Sequence, residues 1–115
     1  MTNYVTRHQS HRFQKHAFDL TAGVPFAPDL FYLCHRCEFL MWSFADECGG
    51  CDCRNLVLDV GRFSHGPPES FEVLECLDAT WISELCAQRR RHRDQQMTIE
   101  TRRVEAPGPT TTDLT

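Results

Sequence analysis

The chain has 115 residues, of which 41% are hydrophobic and 24% charged, and its 16 acidic side chains against 12 lysines and arginines give a formal net charge of −4 at pH 7. A chain of this length predicts one domain, and a mildly acidic balance argues against a general nucleic-acid binder. No stretch approaches the roughly 20 apolar residues that a membrane-spanning helix needs, so no contact with a membrane is expected.

Residues 1–28 are predicted to be a polar N-terminal arm followed by a linker. The arm carries His8, His11 and His16 among basic residues, at a spacing that is unspecific for a metal site, and a solvated, partly disordered segment is the favoured interpretation. Glycine and proline mark residues 23–28 as the extended linker. Because the N-terminus has no apolar run of the kind found in secretory signals, the seven cysteines are interpreted as metal ligands and reduced thiols in a cytoplasmic protein, with the nucleus as the alternative compartment.

The segment FYLCHRCEFLMWSFADECGGCDCRNLVLDV, residues 31–60, holds the candidate metal ligands. Cys34 and Cys37 form one C-x-x-C pair, and Cys48 and Cys51 form a second. A short turn aims both thiolates of a pair at one ion, and two pairs complete a tetrahedral shell with metal–sulfur distances of about 2.3 Å. The two glycines inside the second pair suit a tight turn, because glycine tolerates positive φ. We therefore predict that these four cysteines bind one metal ion.

Cys53 follows two residues after the second pair and is the candidate alternative ligand. A tetrahedral site has no fifth position, so Cys53 is predicted either to replace Cys51 or to remain a spare thiol that oxidants can reach. Cys76 and Cys86 fall at apolar positions and are expected to be small buried hydrophobic residues.

The two cysteine pairs and the strand-like runs around them resemble zinc ribbons over residues 31–63. The resemblance implies one structural zinc ion held by an antiparallel β-ribbon. Rubredoxins hold iron with a similar pair of turns, but they typically have Gly after the first pair and Pro inside the second. This chain has Glu38 and a Gly-Gly pair at those places, so iron is the less favoured metal.

Hydrophobic alternation predicts the strands around these turns. Residues 31–33 enter the first turn, residues 39–44 leave it, and residues 56–60 follow the second turn. Both faces of the strand at 39–44 are apolar, so we expect one face to pack on the core and the other on the later helix, the N-terminal arm or a partner. Residues 70–78 fit either a strand or a helix, and a strand that pairs back on residues 56–63 is favoured.

From Ala79 the pattern becomes helical. Trp81, Ile82, Leu85 and Cys86 form one apolar stripe, and Asp78 or Thr80 is the predicted N-cap. The helix is expected to continue through a basic run and to end near Gln96. The candidate phosphate contacts in this run are Arg89, Arg90, Arg91 and Arg93. Cations near a helix C-terminus are also favoured by the helix dipole, and no aromatic residue is interleaved to stack on bases, so a solvated helix end is preferred.

These patterns predict a small metal-stabilised α+β domain over residues 29–97, built from an antiparallel zinc-ribbon β-sheet and one C-terminal α-helix, with a disordered tail over residues 98–115. We expect one Zn²⁺ ion in a structural site and no enzymatic activity, because four thiolates leave no open coordination position. The leading hypothesis for function is a protein–protein interaction module or accessory subunit. The alternatives are a rubredoxin-like or thiol-based redox protein, and a nucleic-acid-binding adaptor that uses the arginines of residues 89–93.

Overall fold

The computed structural model of the chain describes the backbone of residues 1–59 and 62–105, and the side chains within these ranges through Gln95. The chain divides into two compact units, of which the first is Met1–Glu84 and the second begins at Leu85. The strands are β1 (Phe13–Lys15), β2 (Leu30–Cys34), β3 (Leu40–Trp42), β4 (Gly49–Gly50), β5 (Leu56–Asp59), β6 (Arg62–His65) and β7 (Phe71–Cys76). The helices are α1 (Val5–Ser10) and α2 (Ala79–Glu105), and short 3-10 turns cover Leu20–Ala22 and Pro68–Ser70.

The strands form two antiparallel sheets in the first unit. The first sheet has the order β1-β7-β2-β3, and the second has the order β4-β5-β6. The predicted small α+β architecture, with antiparallel sheets and a C-terminal helix, is therefore confirmed at this coarse level. The predicted pairing of β7 with residues 56–63 is wrong, because β7 lies between β1 and β2 and places Val73 opposite Tyr32. Both faces of β7 carry buried apolar side chains, which suits an interior strand better than the edge of the second sheet.

One face of the first sheet packs against the second sheet to form the main core. Tyr32 and Val73, which are 1% and 0% exposed, belong to the same hydrophobic cluster as Leu56 and Leu58 of β5. Burial of large apolar side chains such as these is the main favourable term in folding. The second sheet therefore covers this face of the first sheet.

The opposite face of the first sheet is covered by aromatic side chains from other parts of the first unit. The ring of Phe31 on β2 lies 5.7 Å from Tyr4, 5.2 Å from Phe13 and 5.5 Å from Trp81, measured between ring centroids. Trp81 comes from the first turns of α2 and also stacks on His11 at 4.3 Å. The prediction that both faces of the strand at 39–44 are buried is confirmed, since Leu40, Met41 and Trp42 are all buried. The N-terminal segment and the start of α2 supply the layer on this second face of the sheet.

The N-terminal segment is thus more ordered than its composition suggested. The amide of Tyr4 donates to the carbonyl of Leu40 at 2.8 Å, and the amide of Leu40 donates to Asn3 Oδ1 at 2.9 Å. β1 adds a further strand to the sheet, with Phe13 opposite Cys76. Two half-buried aromatic side chains, Tyr4 and Phe13, pack on Phe31 and anchor this otherwise polar segment on the sheet.

Helix α2 begins as predicted and extends further than predicted. Asp78 caps it, since its Oδ1 accepts a hydrogen bond from the Trp81 amide at 3.1 Å. The helix reaches Glu105 rather than ending near Gln96. Residues 97–105 contain no glycine or proline, and the first helix-breaking residue is Pro107. The remainder of the predicted tail, residues 106–115, lies outside the described residues.

Candidate metal centre

The first cysteine turn connects β2 to β3. Cys34 is the last residue of β2, and its amide donates to the carbonyl of Phe39 at 2.9 Å. Inside the turn, the amide of Glu38 donates to the carbonyl of Cys34 at 2.8 Å. Glu38 has a φ of 59°, a conformation that side chains other than glycine adopt rarely. The turn therefore closes tightly directly after Cys37.

The second cysteine turn connects β4 to β5 and repeats this construction. The amide of Cys51 donates to the carbonyl of Leu56 at 3.0 Å, and the amide of Arg54 donates to the carbonyl of Cys51 at 3.0 Å. Arg54 has a φ of 64°. It follows Cys53 as Glu38 follows Cys37. The second turn therefore begins at Cys51 and presents Cys53 as its second thiol.

The two turns bring four thiols together. The sulfur atoms of Cys34, Cys37, Cys51 and Cys53 all lie within 4.8 Å of one another. Two of these separations are 3.6 Å, between Cys34 and Cys53, and 3.7 Å, between Cys51 and Cys53. Four sulfurs at about 2.3 Å from one tetrahedral ion lie about 3.8 Å apart. The cluster therefore has the size of a mononuclear four-thiolate metal site.

This cluster differs from the set predicted from sequence in one member, since Cys53 takes the place expected for Cys48. The exposed thiol of Cys48 precedes β4 and lies 3.1 Å from Asp59 Oδ1, outside the cluster. The glycines after Cys48 form strand β4, and neither has positive φ. A Cβ at Gly50 would lie only 3.0 Å from the Leu56 carbonyl oxygen, so this glycine permits close approach of the neighbouring strand.

A sequence signal for the correct turn was present in the polar residues between the strands. Leu56 begins a strand with clear alternation, so the turn must lie immediately before it, in the run from Cys51 to Asn55. The C-x-x-C spacing and the glycine pair favoured the earlier position instead.

Backbone N–H groups donate hydrogen bonds to three of the clustered sulfurs, and each of these bonds by itself favours the thiolate. The amides of Arg36 and Cys37 donate to Cys34, and the Leu56 amide donates to the Cys51 sulfur at 3.3 Å. The amide of Asn55 donates to Cys53. Such N–H donors compensate the negative charge of metal-bound thiolates.

The Asn55 side chain adds a contact between the two turns. Its Nδ2 lies 3.8 Å from the Cys34 sulfur and 2.9 Å from Ser70 Oγ, which in turn donates to the carbonyl of Pro67. Asn55 therefore connects the second turn to the first cysteine and to the residues just before β7.

The pKa of the Cys34 thiol is lowered by its hydrogen bonds. Burial opposes its ionisation, but hydrogen bonds from the amides of Cys37 and Arg36 and from the thiols of Cys53 and Cys37 outweigh this effect. They lower the pKa of Cys34 to about 7. One thiolate is therefore accessible near neutral pH before any metal binds.

The other two thiols with shifted pKa values resist ionisation without a metal. Burial raises the pKa of Cys51. The amide of Asn55 lowers the pKa of Cys53, but desolvation and the hydrogen bonds between Cys53 and the other three thiols prevail and raise it to about 12. A second and third negative charge in so small a volume is unfavourable unless a cation neutralises them. A divalent ion bound by the cluster would supply that charge.

The histidine next to Cys34, the last two cysteines and the arginines of α2 are not part of the cluster. His35 pairs its Nε2 with Glu72 Oε2 at 3.1 Å. Cys76 is 4% exposed on the first sheet, as expected of a small buried hydrophobic residue, and Cys86 is half-buried on α2. Along α2, Arg89 is half-buried and the three other candidate arginines are exposed, and their contact with phosphate stays a prediction.

Comparisons with known proteins do not assign the chain to a family. No protein-family model matches it, and neither the curated proteins nor the solved structures provide a match. Within the described ranges, no helix has the length and apolar character required to cross a membrane. Among the described residues, the cysteine cluster is therefore the feature that bears most directly on function.

Proposed function

We propose that the protein binds one Zn²⁺ ion through Cys34, Cys37, Cys51 and Cys53, and that this ion is structural. The observation that carries the proposal is the convergence of four sulfurs, all within 4.8 Å, from two turns of matching construction. Two of the separations, 3.6 Å between Cys34 and Cys53 and 3.7 Å between Cys51 and Cys53, agree with the sulfur–sulfur spacing of a tetrahedral thiolate shell.

The position of the site supports a structural role. Cys34 ends β2 of the first sheet, while Cys51 and Cys53 lie between β4 and β5 of the second sheet. An ion bound by all of them fastens the two sheets together at one end of the core that they share. Structural zinc contributes on the order of 10 kcal/mol of metal-coupled folding energy in small peptides, which is comparable to the whole stability of a small domain.

Zinc is proposed in preference to iron. Both ions accept a tetrahedral shell of four thiolates, so sulfur geometry alone does not separate them. The first turn has Glu38 at positive φ where rubredoxins typically have glycine, and the second turn has a C-x-C rather than a C-x-x-C spacing. These departures weigh against a rubredoxin-like electron carrier.

A binding role is proposed in preference to catalysis. Four thiolates fill the coordination shell and leave no position for a reactive water, which a catalytic zinc requires. Phe26, which is 69% exposed in the segment before β2, is an aromatic side chain that a partner protein would cover. The protein is therefore proposed to be a small interaction module or accessory subunit whose fold depends on zinc.

The test is the metal content of purified protein and of two matched variants. The wild type is expected to carry one zinc per chain, Cys48→Ser is expected to keep it, and Cys53→Ser is expected to lose it or to bind it far more weakly. Both variants remove one exposed thiol, so they differ mainly in membership of the cluster. Retention of zinc by Cys53→Ser together with its loss from Cys48→Ser would restore the ligand set first predicted from the cysteine spacing. Stoichiometric iron, visible as colour, would overturn the choice of metal.

A further inference from the structure

The four clustered thiols differ sharply in exposure. Cys34 and Cys51 are 0% and 1% exposed, Cys37 is half-buried, and Cys53 is exposed. Oxidants in solution reach a thiolate according to its exposure and its thiolate character. A bound metal ion keeps all four sulfurs as thiolates, so exposure becomes the property that separates them.

We propose that Cys53 is the cluster thiolate that hydroperoxides oxidise first, and that the zinc ion is released when Cys53 then forms a disulfide with Cys34. This inference rests on the proposed zinc site and adds a means by which its occupancy is regulated. It assigns the solvent-facing ligand a chemical role that its three partners do not share.

The reaction balances with hydrogen peroxide, the simplest hydroperoxide, as the oxidant. The Cys53 thiolate attacks one peroxide oxygen, the O–O bond breaks, and the products are a Cys53 sulfenic acid and one hydroxide. The Cys34 thiolate then attacks the Cys53 sulfur, an S–S bond forms, and a second hydroxide leaves. Two sulfurs have together lost two electrons, which the peroxide has gained. Two thiolates then remain, and they hold zinc far more weakly than four.

The structure favours Cys34 as the thiol that closes this disulfide. Its sulfur lies 3.6 Å from that of Cys53, so a short movement brings the two to the S–S bond length of about 2.05 Å. The sulfur of Cys51 is nearly as close at 3.7 Å, but it belongs to the same tight turn. The hydrogen bond from the Arg54 amide to the Cys51 carbonyl, 3.0 Å long, holds that turn in shape. Closing a disulfide across one intervening residue would distort it.

A Cys34–Cys53 disulfide also has a structural consequence. The bond joins the first cysteine turn to the second, as the zinc ion does. Oxidation therefore replaces the zinc coordination that connects the two sheets by one covalent S–S bond, and a thiol reductant reverses this change. The device responds to peroxide by releasing zinc while retaining one connection between the turns.

The experiment measures zinc release by hydrogen peroxide from the full-length protein, with a chromogenic chelator as the reporter. The variants are Cys53→His, which keeps a nitrogen ligand for zinc but removes the exposed thiolate, and Cys48→Ser, which removes an exposed thiol outside the cluster. We expect release from Cys53→His to be about tenfold slower than from the wild type, and release from Cys48→Ser to be unchanged. Peptide mapping of the oxidised wild type should recover a Cys34–Cys53 disulfide, and this measurement does not depend on the folding of either variant.

The possible failures are distinguishable. Untreated wild-type protein without zinc would overturn the proposed function and this inference with it. Stoichiometric zinc that peroxide releases equally fast from wild type and Cys53→His would overturn this inference alone. So would a mapped disulfide that excludes Cys53.

Discussion

Removal of the metal is expected to unfold the whole first unit rather than the two cysteine turns alone. The second sheet has few buried side chains of its own, chiefly Leu56 and Leu58. At about 1.5–3 kcal/mol each, these two leucines contribute roughly 3–6 kcal/mol, whereas ordering the strands of that sheet costs on the order of 10 kcal/mol. We therefore expect the second sheet to unfold when the ion that fastens the turn between β4 and β5 is removed.

Loss of the second sheet would expose the face of the first sheet that it covers. Tyr32, Met41 and Val73 are 1%, 0% and 0% exposed in the folded protein. Exposure of three such side chains costs about 5–9 kcal/mol, a large part of the roughly 5–15 kcal/mol by which a small domain is stable. The first sheet is therefore expected to unfold together with the second, although its other face has an aromatic layer of its own.

Tryptophan fluorescence gives a direct assay of this coupling. The chain has two tryptophans, so the fluorescence of a Trp42→Phe variant comes from Trp81 alone. Trp81 packs on the face of the first sheet that the second sheet does not cover. Chelation at neutral pH under reducing conditions should shift the Trp81 emission to the red, and excess zinc added with the chelator is the control. If the ion is removed and the Trp81 emission does not change, the aromatic layer is an independent core, and its folding is not coupled to the metal site.

Three further predictions concern packing, pH and the basic run. Leu56→Ala should lower the free energy of unfolding by about 2–5 kcal/mol, because Leu56 is 0% exposed. Leu77→Ala, at 36% exposure, should lower it less, by about 1 kcal/mol. Urea unfolding at saturating zinc measures both values. The zinc affinity should fall by about 100-fold or more for each pH unit below neutrality, because Cys51 and Cys53 have raised pKa values and each releases a proton when zinc binds. Competition with a chelator at several pH values measures this affinity. An affinity that does not change with pH would contradict the prediction. Replacing the four arginines of residues 89–93 with glutamine should leave function intact, and a salt-sensitive RNA or DNA interaction that this change abolished would show that the adaptor hypothesis is correct.

Local patterns in the sequence were sufficient for the strands next to the cysteines and for the start of α2. Alternation of apolar residues located β2, β3 and β5, and the spacing of Trp81 and its neighbours located the helix. Each of these signals depends on residues close together in the chain. The pairing of β7 could not be obtained in this way, because its apolar pattern suits any interior position in a sheet. Its place between β1 and β2 depends on the N-terminal segment, whose aromatic residues are spread through polar sequence.

The spacing of the cysteines alone did not predict that Cys53, rather than Cys48, lies in the cluster. Two C-x-x-C pairs made a complete ligand set in sequence, but a turn is defined by its backbone, and the backbone closes at Glu38 and Arg54. Each of these residues holds a positive φ at a cost of about 1 kcal/mol or more, which persists only where the surrounding hydrogen bonds require it. In both turns that strain lies directly after the second clustered cysteine. The two turns therefore match in backbone conformation, which the cysteine spacing does not reveal. This match places the solvent-facing Cys53 in the same position of its turn as Cys37, and both belong to the cluster.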